Sequence, residues 1–312
     1  MGHRIARYRL FIHIIFNYTN KDKQMIGPIS QINSLGVLSK NDTDSSMNNE
    51  ELKNIIAQLE TDIADGSWFH RDYSKMDVKV MPRLVMQANN KFPEMNLKFV
   101  KSPQDFSIEI KNAIEYRDES ARFIINMGED GIHFSVIDYK HINGKTSLIL
   151  FEPASFNSMG PAMLALRAKV AIERHQLPDC HFSMVEMDIQ RSSSECGIFS
   201  LALAKKLYTE RDSLSKLHED NIKGTLGDSK KPLPHDKVDL YLPVTFYKHT
   251  QGRRRLNEYL NTNPQGISTV INKKNETILN RFDNNQSVLD GKILSVSAHK
   301  KRITEYKTLL KS

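Results

Sequence analysis

Cys196 is the residue of this sequence whose surroundings most clearly suggest covalent chemistry. It stands in SSSECGIF, residues 192–199, where a short polar run meets an apolar stretch. The pattern predicts a junction between a strand and a helix, and the unpaired N–H groups and dipole of a helix start favour a thiolate. A buried, inert cysteine is the other interpretation. A nucleophile would need a histidine beside it.

A predicted β-hairpin brings one histidine close to one carboxylate. The pair Asn143–Gly144 is typical of a two-residue turn, and with that turn His133 lies opposite Ala154. Glu152 then stands on the same face at the diagonal position, within reach of the imidazole. A carboxylate that orients a histidine completes a Cys-His-acid arrangement. Taken singly, His133 is typical of a structural strand histidine and Glu152 of a solvated strand end, and a longer loop would change the register.

Gln190 lies six residues before Cys196, at the predicted end of a strand. Its side-chain amide could donate a hydrogen bond to a developing oxyanion, as Asn and Gln do in acyl transfer. The chain order His133, Glu152, Gln190, Cys196 is the reverse of the papain order, in which the cysteine comes first. It is the order of the ubiquitin-like-protein proteases and of the adenoviral-type proteases.

The helices and strands predicted around these residues indicate an α+β fold. A capped helix is expected from Asn48 to Gly66, and a second with Pro82 in its first turn, ending near Asn89. Three β-rich segments indicate an antiparallel meander, followed by a helix, a fourth strand and the helix that starts at Cys196. These later elements are residues 121–127, 131–139 and 146–151 for the meander, a helix from Pro161 that stops before Pro178, a strand over 181–190 and a helix over 197–208.

Composition and charge divide the chain into four parts. We expect a dispensable leader over residues 1–24, a flexible segment over 25–47, a catalytic core with an N-terminal helical part over 48–223, and a basic region over 224–312 that packs on the core. From Phe246 onward thirteen Lys and Arg stand against five Asp and Glu, so this tail carries +8 whereas the whole chain carries +7.

Several classes of protein are disfavoured by the sequence. No apolar stretch approaches the roughly 20 residues that span a bilayer, and the two cysteines make a poor disulfide pair, which indicates a reducing compartment. The histidines show no zinc spacing, and there is no Gly-rich phosphate loop or dinucleotide fingerprint. We therefore expect no metal, no membrane span and no nucleic-acid partner.

Five stretches resemble the YopJ family of secreted bacterial effectors, and the resemblance covers essentially all of residues 25–312. They are MGEDGIHFSVIDYKHINGKTSLILFEPA, LPDCHFSMVEMDIQRSSSECGIFSLALAKKLY, LPVTFYKHTQG, NKKNET and AHKKRITEYKTLLK. The leader before Met25 departs from the family. By residue match, the resemblance implies that His133, Glu152 and Cys196 are the triad and that Gln190 is the oxyanion donor.

The resemblance implies a fold like that of the ubiquitin-like proteases, with an antiparallel sheet, a helix that carries the cysteine and a helical, basic regulatory region. It implies an acetyltransferase in which the cysteine takes acetyl from acetyl-CoA as a thioester and passes it to Ser, Thr or Lys. The implied acceptors are activation loops of host MAP kinase kinases and IκB kinase β, where acetyl blocks phosphorylation and inhibits MAPK and NF-κB signalling. Residues 25–47 would then serve type III secretion, and the protein would act in the host cytoplasm.

The resemblance also implies two anionic ligands, acetyl-CoA and the host activator inositol hexakisphosphate. A polyphosphate needs many cations that converge on one pocket, although a basic cluster is usually a solvated face. Our candidates for these two ligands are His133, Arg191, Ser192, Lys205, Lys206, Lys248, His249, Gln251, Gly252, Arg253, Arg254, Lys273 and Arg281.

Two other functions are compatible with the same residues. A cysteine protease that removes ubiquitin or a ubiquitin-like tag would use the same triad, since a thiolate attacks an amide with the same base and oxyanion donor. A non-catalytic module that grips kinases and masks their activation loops would need no triad at all.

Overall fold

A computed structural model describes residues 47–128, 133–177, 179–228 and 230–311. The expected leader over 1–24 lies outside the described residues, as does all of the expected secretion segment except Met47. Residues 49–312 form one compact unit. From residue 49 on, the expected catalytic core and the expected basic region therefore belong to the same body.

Helices and strands follow one another irregularly, as in an α+β fold. The helices are α1 (Asn49–Asp65), α2 (Ser74–Lys91), α3 (Pro103–Glu115), α4 (Met159–Arg174), α5 (Cys196–Thr209), α6 (Ser215–Lys223), α7 (His235–Val238), α8 (Arg253–Thr262), α9 (Ile278–Asp283) and α10 (Ser297–Leu309). The strands are β1 (Leu97–Val100), β2 (Ser120–Asn126), β3 (Phe134–Ile142), β4 (Lys145–Glu152), β5 (Cys180–Glu186), β6 (Gln286–Leu289) and β7 (Lys292–Ser295).

A five-stranded sheet in the order β1-β2-β3-β4-β5 forms the centre of the fold. β2, β3 and β4 pair antiparallel, which confirms the predicted meander. Asn143 and Gly144 have the positive φ angles, 50° and 80°, that a two-residue hairpin turn requires. Ile142 pairs with Lys145, so the predicted register is confirmed.

The two outer strands pair in parallel, β1 with β2 and β4 with β5. The sheet is therefore mixed, which corrects the antiparallel sheet that we expected. Parallel neighbours need a long connection, and α3 and α4 lie in those two connections. Most residues of the three central strands are buried, with α5 packed against all three and α4 and α6 also packed on the sheet.

The largest departures from the predicted boundaries concern the second helix and the fourth strand. The second helix begins at Ser74 rather than at Pro82, and Pro82 lies inside α2; the polar residue Asp77 in its first turn is buried, which hides the amphipathic pattern. The fourth strand ends at Glu186 rather than at Gln190. Asp188 has a φ of 51°, a left-handed conformation that a strand cannot continue through.

The C-terminal helix joins the basic region to the rest of the fold. α10 packs against α1, α2 and α5. Its Arg302 is completely buried and belongs to the interior rather than to a solvated basic face. Within the described ranges, no helix is both long and apolar enough to cross a membrane, and no group of His, Cys, Asp and Glu is arranged to hold a metal ion.

Candidate active site

The predicted histidine and carboxylate meet at one end of the sheet. His133 directly precedes β3, and Glu152 is the last residue of β4. His133 Nε2 lies 2.8 Å from Glu152 Oε2. Glu152 is completely buried, and it also accepts hydrogen bonds from Ser135 Oγ at 2.5 Å and from the Ala154 N–H at 2.8 Å. The carboxylate is therefore held in one orientation by three donors.

The bond to Glu152 determines which nitrogen of His133 carries a proton. A carboxylate only accepts hydrogen bonds, so Nε2 of His133 is the donor, and Nδ1 is the nitrogen that can exchange a proton with a nucleophile. The start of α4 lies against the same ring: a Cβ added to Gly160 would stand 3.4 Å from His133 Cβ and 3.5 Å from Cγ. The imidazole is thus fixed on one side by Glu152 and on another by the backbone of α4.

Cys196 occupies the first position of α5 and is 1% exposed. The N–H groups of the first helical turn and the helix dipole favour negative charge at this position. The thiol also interacts with His133, both through charge and through a hydrogen bond. The structure therefore brings together the three residues that the sequence suggested, His133, Glu152 and Cys196.

Electrostatics favour a charged imidazole in this arrangement. Burial acts to lower the pKa of His133, but attraction to Glu152 and to the Cys196 thiolate, with hydrogen bonds to both, outweighs burial and raises the pKa to about 10. His133 therefore carries its proton at neutral pH while Cys196 is unacylated. A thiolate beside an imidazolium is the reactive form of a catalytic cysteine.

Gln190, the predicted oxyanion donor, is buried just before the loop that leads to Cys196. Its Nε2 donates to the Ser192 carbonyl at 2.7 Å, and its Oε1 has no hydrogen-bond partner among the described residues. An amide nitrogen has two hydrogens, so the bond to Ser192 leaves one hydrogen of Gln190 for another acceptor.

A cavity lined by basic side chains lies between α5, α10 and the 3₁₀ turn at Val244–Tyr247. We call it the basic pocket. Arg281 reaches its edge, where Nε donates to the Lys248 carbonyl at 3.1 Å. The pocket is lined by four of our candidates and by one lysine that we missed; these are Lys205, Lys206, Lys248, His249 and Lys301.

Charges in the basic pocket repel one another. Burial, and then repulsion from Arg281, Lys206 and Lys301, lowers the pKa of Lys248 to about 8. Burial and the neighbouring cations hold the pKa of His249 well below its ordinary value, so this ring is neutral and bonds to Ser297 Oγ. A bound polyanion would relieve this repulsion.

The remaining candidates lie in different surroundings. Lys273 is exposed on a turn and does not line the basic pocket. Arg191 is paired with Asp188 at 2.8 Å and lies against the backbone of Gly252, where an added Cβ would stand 3.3 Å from Nε. Arg253 is paired with Asp283 at 2.5 Å.

Three candidates for ligand binding remain, and their side chains differ in exposure to solvent. The side chain of Arg254 is 81% exposed and lies near Glu258. Ser192 and Gln251 are buried and hydrogen-bonded to each other. An incoming ligand could therefore contact Arg254 directly, whereas Ser192 and Gln251 belong to the interior.

Comparisons with known proteins agree on one family. A family model described as YopJ serine/threonine acetyltransferase matches residues 52–308. The serine/threonine-protein acetyltransferase YopJ of Yersinia pestis is 80% identical over 287 residues, 92% of this chain and 100% of that protein. Its counterpart in Yersinia pseudotuberculosis is 79% identical over the same coverage.

Solved structures give the same result. An AvrA structure with IP6 and CoA is 59% identical, has a TM-score of 0.81, and covers 85% of this chain and 99% of that chain. A HopZ1a structure in complex with IP6 and CoA has a TM-score of 0.66 with the same coverage, and at 16% identity the likeness concerns the fold.

Proposed function

Since this chain belongs to the YopJ serine/threonine acetyltransferase family, we propose that it moves acetyl from acetyl-CoA through a Cys196 thioester, with His133 and Glu152 completing the triad. The observation that carries the proposal is the 2.8 Å bond between His133 Nε2 and the buried Glu152, together with the interaction of the same imidazole with Cys196.

The first half-reaction begins with the charged pair. The Cys196 thiolate attacks the thioester carbonyl of acetyl-CoA, and the oxyanion that forms accepts from backbone N–H groups at the start of α5 and from Gln190. The C–S bond to CoA then breaks, and Nδ1 of the His133 imidazolium gives its proton to the leaving thiolate. The products are acetyl-Cys196, a neutral His133 and CoA as the free thiol.

The second half-reaction uses the histidine in its other state. Acylation removes the negative charge of Cys196, and with it part of the attraction that raises the pKa of His133. Burial, which acts to lower that pKa, then weighs more, so the imidazole stays neutral and can serve as a base. It takes the proton of the acceptor hydroxyl, the alkoxide attacks the acetyl group, and the Cys196 thiolate leaves beside a restored imidazolium.

We assign inositol hexakisphosphate to the basic pocket and CoA to the surface near Arg191 and Arg254. The supports are the repulsion that Arg281, Lys206 and Lys301 exert on Lys248 and the solved AvrA and HopZ1a structures, which contain IP6 and CoA. Lys206, Lys248, Lys301 and Arg281 would hold phosphates through charge-assisted bonds.

We propose as acceptors the activation loops of host MAP kinase kinases and of IκB kinase β, after type III secretion into the host cytoplasm. The support is the family membership together with the long quoted stretches shared with that family. Acetyl on an activation-loop hydroxyl would occupy the oxygen that phosphorylation needs.

Incubation of the full chain with labelled acetyl-CoA, inositol hexakisphosphate and a MAP kinase kinase tests the proposal. We expect label on the kinase with the parent protein and none with Cys196→Ala. Cys180→Ala is the matched control, because burial raises the pKa of the Cys180 thiol to about 12 and leaves it unreactive. Label on the kinase from the Cys196→Ala variant would contradict the triad, and cleavage of a ubiquitin-like tag without acetyl transfer would favour a protease.

A further inference from the structure

The loop that precedes Cys196, residues 191–195, is bonded both to its own neighbours and to side chains from the C-terminal region. Ser192, Ser194 and Glu195 are at most 4% exposed. The N–H groups of Arg191 and Ser192 both donate to Gln251 Oε1, at 2.5 and 2.9 Å. Gln251 thus fixes the first half of the loop by its side-chain carbonyl.

Glu195, the residue directly before Cys196, is completely buried, and it is surrounded by donors. Its Oε2 accepts from Ser192 Oγ at 3.0 Å and from Gln251 Nε2. Its Oε1 lies 3.5 Å from Arg302 Nη1 and 3.4 Å from His299 Nδ1. A buried carboxylate is costly unless it is paired in this manner, so these contacts are needed for the loop to keep its position.

Arg302 extends the same network to α2. Its Nε and Nη2 donate to the two oxygens of Asp77, each at 3.0 Å, and Nη2 also donates to the Ser194 carbonyl at 2.9 Å. Asp77 in turn lies against the residue after the nucleophile: a Cβ added to Gly197 would stand 2.6 Å from Asp77 Oδ2. The residues on both sides of Cys196 are therefore fixed by one buried cluster.

The two anchors of this cluster are close in sequence to residues that line the basic pocket. Arg302 follows Lys301, and Gln251 comes two residues after His249 and three after Lys248. A shift of α10 or of the segment 248–251 on ligand binding would therefore move the partners of Glu195. No other described side chains hold the 191–195 backbone from the C-terminal region as directly as these two.

We propose that Glu195, Gln251 and Arg302 are positioning residues that hold the Cys196 loop and transmit occupancy of the basic pocket to the thiol. The inference rests on the proposed function in taking inositol hexakisphosphate as the occupant. It adds a route, from Lys301 and Lys248 through Arg302 and Gln251 to Glu195. Misplacement of a nucleophile by about 1 Å can lower a rate by about 100-fold, so loss of either anchor is expected to act on turnover rather than on binding.

Two variants and one matched control test this proposal in the full chain. Gln251→Met keeps the volume and removes the hydrogen bonds, and Arg302→Lys keeps the charge and removes the paired bonds to Asp77. Arg122→Lys makes the same change in another buried pair, Arg122 with Asp138 at 3.0 Å, which lies in the sheet between β2 and β3. The measurements are calorimetric binding of inositol hexakisphosphate, the rate of Cys196 alkylation by iodoacetamide with and without it, and kcat and KM for acetyl-CoA.

For the parent protein and for Arg122→Lys we expect inositol hexakisphosphate to change the alkylation rate. For Gln251→Met and Arg302→Lys we expect binding within about threefold of the parent, at least about a tenfold loss of that rate response, and at least about a tenfold fall in kcat with little change in KM. The proposal would be overturned if inositol hexakisphosphate did not change the alkylation rate of the parent protein. It would also be overturned if both variants kept the full rate response and the parental kcat. Variants that no longer bind the ligand would also overturn it, since the residues would then belong to the pocket.

These outcomes are separable from a failure of the proposed function. If no acetyl transfer occurs even with the parent protein, the acetyltransferase mechanism fails, whereas the alkylation response still reports on the position of Cys196. If Arg302→Lys does not fold, Gln251→Met decides the question, because it leaves the bonds between Arg302 and Asp77 in place.

Discussion

Replacement of Glu152 by Gln is the substitution that probes the triad most finely, because it keeps the shape of the side chain and removes one acceptor. One carboxylate oxygen accepts from His133 and Ser135, and the other accepts from the Ala154 N–H. If the new NH₂ group faces Ala154, two donors meet, and an unpaired buried N–H costs about 1–3 kcal/mol. If it faces His133, the histidine must present an unprotonated Nε2, which moves the proton to Nδ1 and blocks its role as a base.

The size of the effect follows from the pKa of His133. Its rise from 6.5 to about 10 corresponds to about 5 kcal/mol in favour of the imidazolium. Attraction to Glu152 is the largest of the causes that raise it. Loss of one hydrogen bond to a charged group costs about 1.5–3 kcal/mol, which is a fall of about 10- to 160-fold in rate. The reversed tautomer would enlarge the loss toward the roughly 10⁴-fold seen when a triad Asp becomes Asn.

The assay is single-turnover acetyl transfer, with chemical unfolding to verify that the variant is folded. Glu186→Gln is the matched control: Glu186 pairs in register with Glu152 at the end of the neighbouring strand and bonds to the Phe156 N–H at 2.8 Å, with no contact to His133. We expect the control to stay within about threefold of the parent. A Glu152→Gln variant that also stays within that range would refute the role given to Glu152.

Three further predictions concern the same site and the basic pocket. The charge on His133 is present below its pKa of about 10 and lost above it, so the rate of Cys196 acylation by acetyl-CoA, in which His133 gives its proton to the leaving CoA, should fall only above about pH 10. A fall that begins near pH 6.5, the ordinary value of the histidine pKa, would contradict the ion pair. Gly197→Ala should lower the free energy of unfolding by at least about 1–3 kcal/mol in a urea titration, because its Cβ would stand 2.6 Å from Asp77 Oδ2. An unchanged urea midpoint would contradict this, since Asp77 would then move aside without a loss of stability. Lys301→Gln should weaken binding of inositol hexakisphosphate at least about fivefold, because it removes one cation of the basic pocket. The same change at the exposed Lys273 should have no effect, and equal losses at both would point to general charge attraction.

Local sequence signals were sufficient for part of the site. His133 and Glu152 stand on one hairpin, so the short turn at Asn143–Gly144 alone fixed their register. Cys196 was suggested by the change from polar to apolar residues at the start of a helix. Each of these inferences depends on neighbours within about one strand or one helical turn.

The network behind Cys196 could not be predicted in this way. The bonds from Gln251 to Ser192 and from Arg302 to the Ser194 carbonyl join residues 59 and 108 positions apart. A single Gln or Arg carries no pattern that marks it as buried, since most such residues are exposed. The missed start of α2 has the same origin, because Asp77 is buried with partners on α10, Arg302 and Tyr306.

Lys301 was missed for a related reason. It stands in a run of basic residues at the start of α10, where neighbouring lysines look equivalent in the sequence. The packing of α10 against α5 turns Lys301 toward the basic pocket and leaves Lys300 exposed. Which of these neighbouring lysines lines the basic pocket could therefore be decided only from the tertiary structure.

The most direct test of the mechanism is the acyl group on Cys196 itself. The full chain is mixed with labelled acetyl-CoA and inositol hexakisphosphate without an acceptor, quenched in acid, and digested for mass spectrometry. We predict one acetyl group on the peptide that contains Cys196, released by hydroxylamine and lost when a kinase acceptor is added before the quench. Acetyl transfer to the kinase with no acetyl on Cys196 at any time point would contradict the thioester mechanism.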